Sequence, residues 1–313
     1  MIISASYKTD IPAFYGRWFM ARLRAGHCRM TNPYGGQRYK VGLGADDVDG
    51  FVFWTKNLGP FLGHLGEIRD RGFPFMVQYS INNYPRAVEV SVVEQSRARD
   101  HLGLLAASFG PRVAVWRYDP IIETSLMPLD WHEENFAALA GSLRGLTDEV
   151  VVSFAHIYRK TRRNLDGAAR DAGFDWRDPA PDEKRQLLAR LKTIAARNHM
   201  TLSLCAQPDY LVAGVSPAKC IDAGRLEDIA GRPIMAAVKG NREGCQCFAA
   251  RDIGAYDTCP QGCVYCYAVS DRARARDRLE AHDPEGEYLF PPKDADMKKG
   301  AADETRRRLA PVT

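Results

Sequence analysis

Six short, largely apolar runs mark the first two-thirds of the chain, at residues 2–6, 50–55, 75–79, 112–116, 149–154 and 200–205. Apolar runs that do not alternate with polar residues belong to strands buried on both faces, as in a covered parallel sheet. The intervals between them carry helical spacing. Phe14, Trp18, Phe19 and Leu23 recur along one helix face. Leu187, Leu188, Leu191 and Ile194 do so within a long helix expected over 182–198. Further helices are expected near 61–71, 92–109 and 131–144. Asp10 followed by Ile-Pro reads as an N-cap with proline inside the first turn, and Gly26 ends that helix. Residues 27–50 read as loop-rich, and 206–243 as a connector.

Strands alternating with helices predict an α/β fold of parallel strands, and such folds carry their chemistry at the C-terminal ends of the strands. Lys56, Asn82, Arg117, Asp119, His156 and Gln207 stand at those ends. They are expected to line one cavity. Lys56, Arg117, Asp119 and His156 are the candidate catalytic residues, with weaker versions of the argument for Lys8, Tyr158 and Arg159. A charge at the end of a buried strand must be paired or face a cavity. Arg117 and Asp119 therefore either hold an anionic ligand and a hydroxyl, or form a salt bridge that closes the strand end. The lone histidines His132 and His199 read as surface residues.

The distinctive chemistry lies later, in Gly244-Cys-Gln-Cys247 and Thr258-Cys-Pro-Gln-Gly-Cys-Val-Tyr-Cys266. Cys259, Cys263 and Cys266 have C-x3-C-x2-C spacing. One short loop with that spacing can wrap a [4Fe-4S] cluster, leaving one iron without a protein ligand. Zinc is the alternative for four of the five clustered thiols, although zinc modules usually pair two C-x2-C elements or add histidines. Cys245 and Cys247, one residue apart, share a strand face. With Cys205 at the end of the sixth strand and Cys220 in the connector they are expected to converge on a second cluster or a zinc ion. The competing reading makes Cys205 and Cys220 ordinary buried thiols, and Cys28 is read that way.

C-x3-C-x-aromatic-C resembles the cluster motif of the radical S-adenosylmethionine (SAM) enzymes. The chain as a whole resembles a bacterial family defined as a domain of unknown function, whose C-terminal cysteines are like those of radical SAM enzymes. The matching segments include Ile2-Ile-Ser-Ala-Ser6, Val52-Phe-Trp-Thr-Lys-Asn57, Trp116-Arg-Tyr-Asp-Pro-Ile121, Lys219-Cys-Ile-Asp222 and Asp252-Ile-Gly-Ala-Tyr256. The resemblance implies a six-unit (β/α) partial TIM-type barrel with a C-terminal cysteine-rich iron–sulfur segment. It implies SAM as cofactor, bound at the open iron and cleaved reductively to a radical that abstracts hydrogen from a substrate. It also implies an electron donor such as a flavodoxin or ferredoxin. Arg117-Tyr-Asp-Pro120 is similar to an element of the spore photoproduct lyases, so a nucleic-acid-derived substrate stands beside a small molecule. Two features depart from the radical SAM pattern. The cysteine triple follows the sixth strand rather than the first, and Lys56-Asn57 replaces the usual Gly-Gly-Glu. The rival class is a non-catalytic zinc or redox-sensing iron–sulfur protein.

Composition adds limits. The 313 residues are 45% hydrophobic and 26% charged, enough for a real core. Net charge is +4, too mild to mark a nucleic-acid binder, and the basic runs at 159–163, 272–278 and 306–308 read as solvated faces. No apolar run approaches a membrane span, and the N-terminus enters a strand without a basic leader. A cytoplasmic protein with no membrane partner is expected. The expected division is a barrel domain over 1–210, a connector and cluster-binding segment over 211–290, and a disordered tail over 291–313.

Overall fold

The structure is a computed structural model that describes residues 1–292. The expected tail lies outside the described residues from 293 onward. Twelve strands run in order through β1 (Ile2–Ala5), β2 (His27–Thr31), β3 (Arg38–Gly42), β4 (Gly50–Thr55), β5 (Phe75–Ser80), β6 (Ala114–Ile121), β7 (Glu123–Thr124), β8 (Glu149–Phe154), β9 (Trp176–Arg177), β10 (Thr201–Leu204), β11 (Ser216–Pro217) and β12 (Ala250–Asp252). The helices are α1 (Ile11–Phe14), α2 (Gly16–Arg24), α3 (Leu62–Asp70), α4 (Gln95–Phe109), α5 (Leu129–Leu143), α6 (Arg159–Ala172), α7 (Pro181–Arg197), α8 (Ala223–Ala230) and α9 (Arg272–Glu280).

Eight strands form one parallel sheet in the order β11-β10-β8-β6-β5-β4-β1-β12. The six strands expected from the apolar runs are the six in its middle. The sheet is open, with β11 and β12 at its edges, so no closed barrel forms among the described residues. Strand neighbours in the sheet are also neighbours along the chain, apart from β12, which returns to lie beside β1.

Successive strand residues point to opposite faces, and the two faces bury different partners. Phe51 and Phe53 of β4 and Trp116 of β6 belong to a large core with Trp18, Phe19, Phe136, Leu187 and Leu191. The rings interlock at close range. Phe19 meets Phe51 and Phe53 at 5.2 Å, and Phe136 stacks on Trp116 at 4.8 Å. On the other face Ile2, Val52, Met76, Val115 and Val151 pack against Ala218, Cys220, Leu226 and Cys247. Residues 218–248 therefore cover the face that α2, α5 and α7 leave free. Gly50 permits the approach, since a Cβ there would sit 3.2 Å from Leu226 and 3.1 Å from the Pro74 carbonyl. No helix among the described residues is long and apolar enough to cross a membrane.

Asp10 caps α1 through the Ala13 amide at 3.0 Å, as its sequence predicts. Two readings need correction. Residues 27–50 contain the antiparallel hairpin β2–β3, whose period-2 burial of Cys28, Met30 and Val41 is hidden among charged neighbours. The basic run 159–163, read as a solvated face, opens α6, a helix that buries only Thr161 and Leu165. His132 is not at the surface. It is fully buried, with Nδ1 2.8 Å from the Tyr118 hydroxyl and Nε2 2.9 Å from the Ile122 carbonyl. His199 is exposed, as expected.

Burial lowers the His132 pKa to about 4. Above pH ~6.5 both folded and unfolded forms are neutral, and the residue adds no pH dependence. As pH falls from there toward 4 only the unfolded chain takes up the proton, so stability is lost, by about 2 kcal/mol at pH 5. Urea titrations at pH 7 and pH 5 should show a loss in the wild type that His132→Gln shrinks by roughly that amount. An unchanged pH slope in the variant would show that His132 is not held neutral.

Candidate functional site

The cysteine loop is built onto the C-terminal ends of the strands. β12 delivers it by pairing with β1, and the buried Asp252 carboxylate ties the two together. That carboxylate accepts from the Ser4 and Ser6 hydroxyls at 2.9 Å each, from the Tyr7 amide at 3.1 Å and from the Gly254 amide at 3.0 Å. Lys8 Nζ lies 3.3 Å away. Gly254 presses so closely on Ser6 that any Cβ there would collide with its side chain.

Beyond this anchor the loop is fastened from two sides. The Tyr15 hydroxyl donates to the Thr258 carbonyl at 2.6 Å, and the Gln261 amide side chain donates to Asp10 at 3.2 Å. The Val264 amide donates to the Val88 carbonyl at 3.1 Å, and the Ser91 amide donates to the Gln261 carbonyl at 2.9 Å. Cys259, Cys263 and Cys266 are free, partly buried thiols that lie within electrostatic reach of one another. Burial pushes all three upward, aided for Cys259 by Asp10 and opposed for Cys263 by the Lys56 ammonium.

Lys56 leaves the end of β4 and meets Glu89 at 2.8 Å. Glu89 is 2% exposed and also accepts from Asn82 Nδ2 at 3.0 Å and from the Tyr265 hydroxyl. Asn82 in turn brackets Asp119, its Oδ1 accepting from the Asp119 amide at 3.0 Å and its Nδ2 reaching the Asp119 carbonyl at 3.3 Å. Asp119 pairs with Arg117 at 2.6 Å and accepts from the Ser153 hydroxyl. A cavity of about 300 Å³ opens beside Lys56, Asn82, Arg86 and Glu89.

Arg117 also faces the second set of thiols. Its Nη1 donates to Cys220 Sγ at 2.9 Å and to Gln78 Oε1 at 3.2 Å. Its guanidinium lies 5.1 Å from the Trp54 ring. Cys220 Sγ is 3.6 Å from Cys205 Sγ, and Arg242 Nη2 is 3.6 Å from the same Cys205 sulfur. Cys247 lies within side-chain reach of Cys220, and Cys245 of Cys247, all as free thiols. Cys28 is buried alone in the main core. Among the described residues no group of three or more His, Cys, Asp or Glu side chains stands ready to hold a single metal ion.

Lys56, Asn82, Arg117 and Asp119 thus share one network with the cysteine loop. His156 is partly buried, with its Nε2 unpartnered, and its pKa is lowered by burial first and Arg242 second. Gln207 turns to the backbone of Phe154, accepting from its amide at 2.8 Å and donating to its carbonyl at 3.0 Å. Sequence reasoning passed over Glu89, Asp252 and Arg242. A lone acid among Val88, Val90, Val92 and Val93 was the available signal for Glu89.

Glu89 neutralises a cation that has no other carboxylate at hydrogen-bond range among the described residues. Glu89→Leu should cost about 3–5 kcal/mol by leaving the Lys56 ammonium uncompensated, and Lys56→Met should cost a similar amount. The double variant should cost far less than the two losses added together. Denaturant midpoints for the four proteins measure this, and strict additivity would show that the pair does not act as a unit.

No curated protein and no solved structure matches the chain. A family model described as a domain of unknown function, DUF1848, matches residues 2–268, which include both sets of cysteines and every strand of the sheet. The chain belongs to that family.

Proposed function

We propose that Cys259, Cys263 and Cys266 hold a [4Fe-4S] cluster in a radical SAM-type enzyme, on a sheet that corresponds to a six-unit partial (β/α) barrel. The observation that carries this reading is the gathering of three free thiols on one loop, hydrogen-bonded to the strand ends, with the Lys56 ammonium facing Cys263. The donor set is all sulfur, which suits iron–sulfur chemistry. A cluster spreads its thiolates further apart than one ion does, so the lack of a ready single-ion group does not oppose the fit.

When bound, such a cluster supplies the electron that cleaves SAM. The chain's own residues position and enclose. Lys56 places positive charge beside Cys263 and favours its thiolate. Glu89 holds Lys56 in place, while Tyr265 and Asn82 fix Glu89. The cavity next to this group would admit a small organic ligand, with Lys56, Asn82 and Arg86 in its wall. Arg117 and Asp119 are committed to each other, which favours a positioning role over direct capture of an anion. In this reading His156, unpartnered at Nε2, remains a candidate proton donor or acceptor. The substrate is a small molecule or a nucleic-acid-derived group, and the electron donor is of the flavodoxin or ferredoxin class.

Anaerobic reconstitution with ferrous iron and sulfide tests the reading. The wild type should take up about four irons at this loop, turn brown, and release 5′-deoxyadenosine from SAM with dithionite. Replacing Cys259, Cys263 and Cys266 together by Ala should abolish both that uptake and the product. Full iron and sulfide content in the triple variant would overturn the assignment.

A further inference from the structure

The sulfurs of Cys205, Cys220, Cys247 and Cys245 form a run of neighbours on the sheet face opposite the main helices. Three separate parts of the chain supply them. Cys205 follows β10, Cys220 precedes α8, and Cys245 and Cys247 lie on the segment leading to β12. Cys205 and Cys220 are 3.6 Å apart, Cys247 lies within side-chain reach of Cys220 and of Cys245, and Cys245 again lies within electrostatic reach of Cys205. Four sulfurs from distant positions rarely meet by packing alone, since a buried thiol is satisfied by any apolar neighbour.

The surroundings point the same way. The Ile221 amide donates to Cys247 Sγ at 3.4 Å, and Arg117 and Arg242 each donate to a sulfur, at 2.9 Å and 3.6 Å. Amide and guanidinium donors aimed at sulfur suit thiolates, and partners of this kind orient the ligands of metal sites. The loop is stapled behind them, with the Phe248 amide on the Ile221 carbonyl at 3.0 Å and the Lys239 amide on the Cys247 carbonyl at 2.8 Å. Residues 237–243 beside Cys245 are exposed, so the fourth thiol lies next to solvent.

We infer that Cys205, Cys220, Cys245 and Cys247 form a four-thiolate site for a thiophilic metal ion of the zinc class, separate from the Cys259 loop. The single-ion distance between tetrahedral sulfurs is about 3.5–4 Å, given metal–sulfur bonds of about 2.3 Å. The Cys205–Cys220 pair already has that spacing. No three of these sulfurs yet stand in single-ion geometry among the described residues, so closing the site draws Cys245 and Cys247 toward the Cys205–Cys220 pair and displaces the thiol protons into solvent. The ion supplies the charge that lets four thiolates stay buried, with Arg117 and Arg242 offsetting the excess.

The test uses the full chain, purified anaerobically, as wild type, C259S/C263S/C266S and C245S/C247S, with folding checked by circular dichroism. Elemental analysis and titration with Co²⁺ read the site. Near one zinc per chain in the first two proteins, falling at least tenfold in C245S/C247S, supports the site. So does a sulfur-to-cobalt charge-transfer band that this variant loses. If C245S/C247S fails to fold, Cys205→Ser alone should weaken Co²⁺ binding at least tenfold. Wild type without zinc, without the cobalt band and with all four thiols reacting freely overturns the proposal. So does a Cys205–Cys220 disulfide in the anaerobic protein, or iron with acid-labile sulfide at these four residues. Because C259S/C263S/C266S retains all four thiols, failure of the iron–sulfur reading leaves this outcome untouched.

Discussion

The carboxylate of Glu89 is the node on which the candidate site depends. A buried carboxylate is tolerated only when its charge is answered and its lone pairs are filled. Lys56, Asn82 and Tyr265 do this from the end of β4, the turn after β5 and the cysteine loop respectively. The requirement is mutual. Lys56, 13% exposed at its side chain, needs a counter-charge as much as Glu89 does. The result is that a loop far along the chain is held at the strand ends by polar contacts as well as by the packing of Val264 and Tyr265 on the main core. Asp252 acts in the same way beside β1, filling its carboxylate with hydroxyls and amides of that strand and the segment after it.

This division of labour follows from the sheet. Its body is apolar on both faces, and apolar contact carries little positional information beyond register. At the strand ends the side chains are polar, so each must find a specific partner, and specific partners fix geometry. The two sulfur groups sit on opposite sides of this polar layer. Asn82 reaches Glu89 on one side and Asp119 on the other, and Asp119 holds Arg117 against Cys220. Hydrogen-bonded continuity is not itself coupling, but it means that neither group can shift far without disturbing shared partners.

Much of this layout was legible in the sequence. Largely apolar runs such as 50–55 and 149–154 show their strand type because both faces are buried, so every residue reports the same environment. Lys56, Arg117 and Asp119 were legible for the complementary reason, as charges directly after such runs. The hairpin at 27–42 was not, because a strand with one solvated face in a Lys- and Arg-rich stretch has only Cys28, Met30 and Val41 to announce it. His132 was misread because its partners, the Tyr118 hydroxyl and the Ile122 carbonyl, come from β6 and the residue after it rather than from its own helix. The meeting of Cys205 with Cys220 followed from their places at the sheet rim, whereas Arg242 beside them had no pattern to mark it.

Charge balance explains why burial favours the protonated form of most of these thiols. Lys56 is answered by Glu89 and Arg117 by Asp119, so the polar layer is close to neutral before any thiol ionises. Each further thiolate would add a buried negative charge that these two cations, each already paired with a carboxylate, offset only in part. Burial accordingly raises Cys259, Cys263, Cys266 and, after its bond to Cys220, Cys205. Cys245, partly buried beside Cys247, is the exception, with a pKa lowered to about 6. An arriving cation reverses the balance, because it supplies at the sulfurs the charge that Lys56 and Arg117 have already committed to carboxylates. The carboxylates thus do two things at once. They fasten the loop, and they keep the sulfurs as thiols until something positive takes the protons' place.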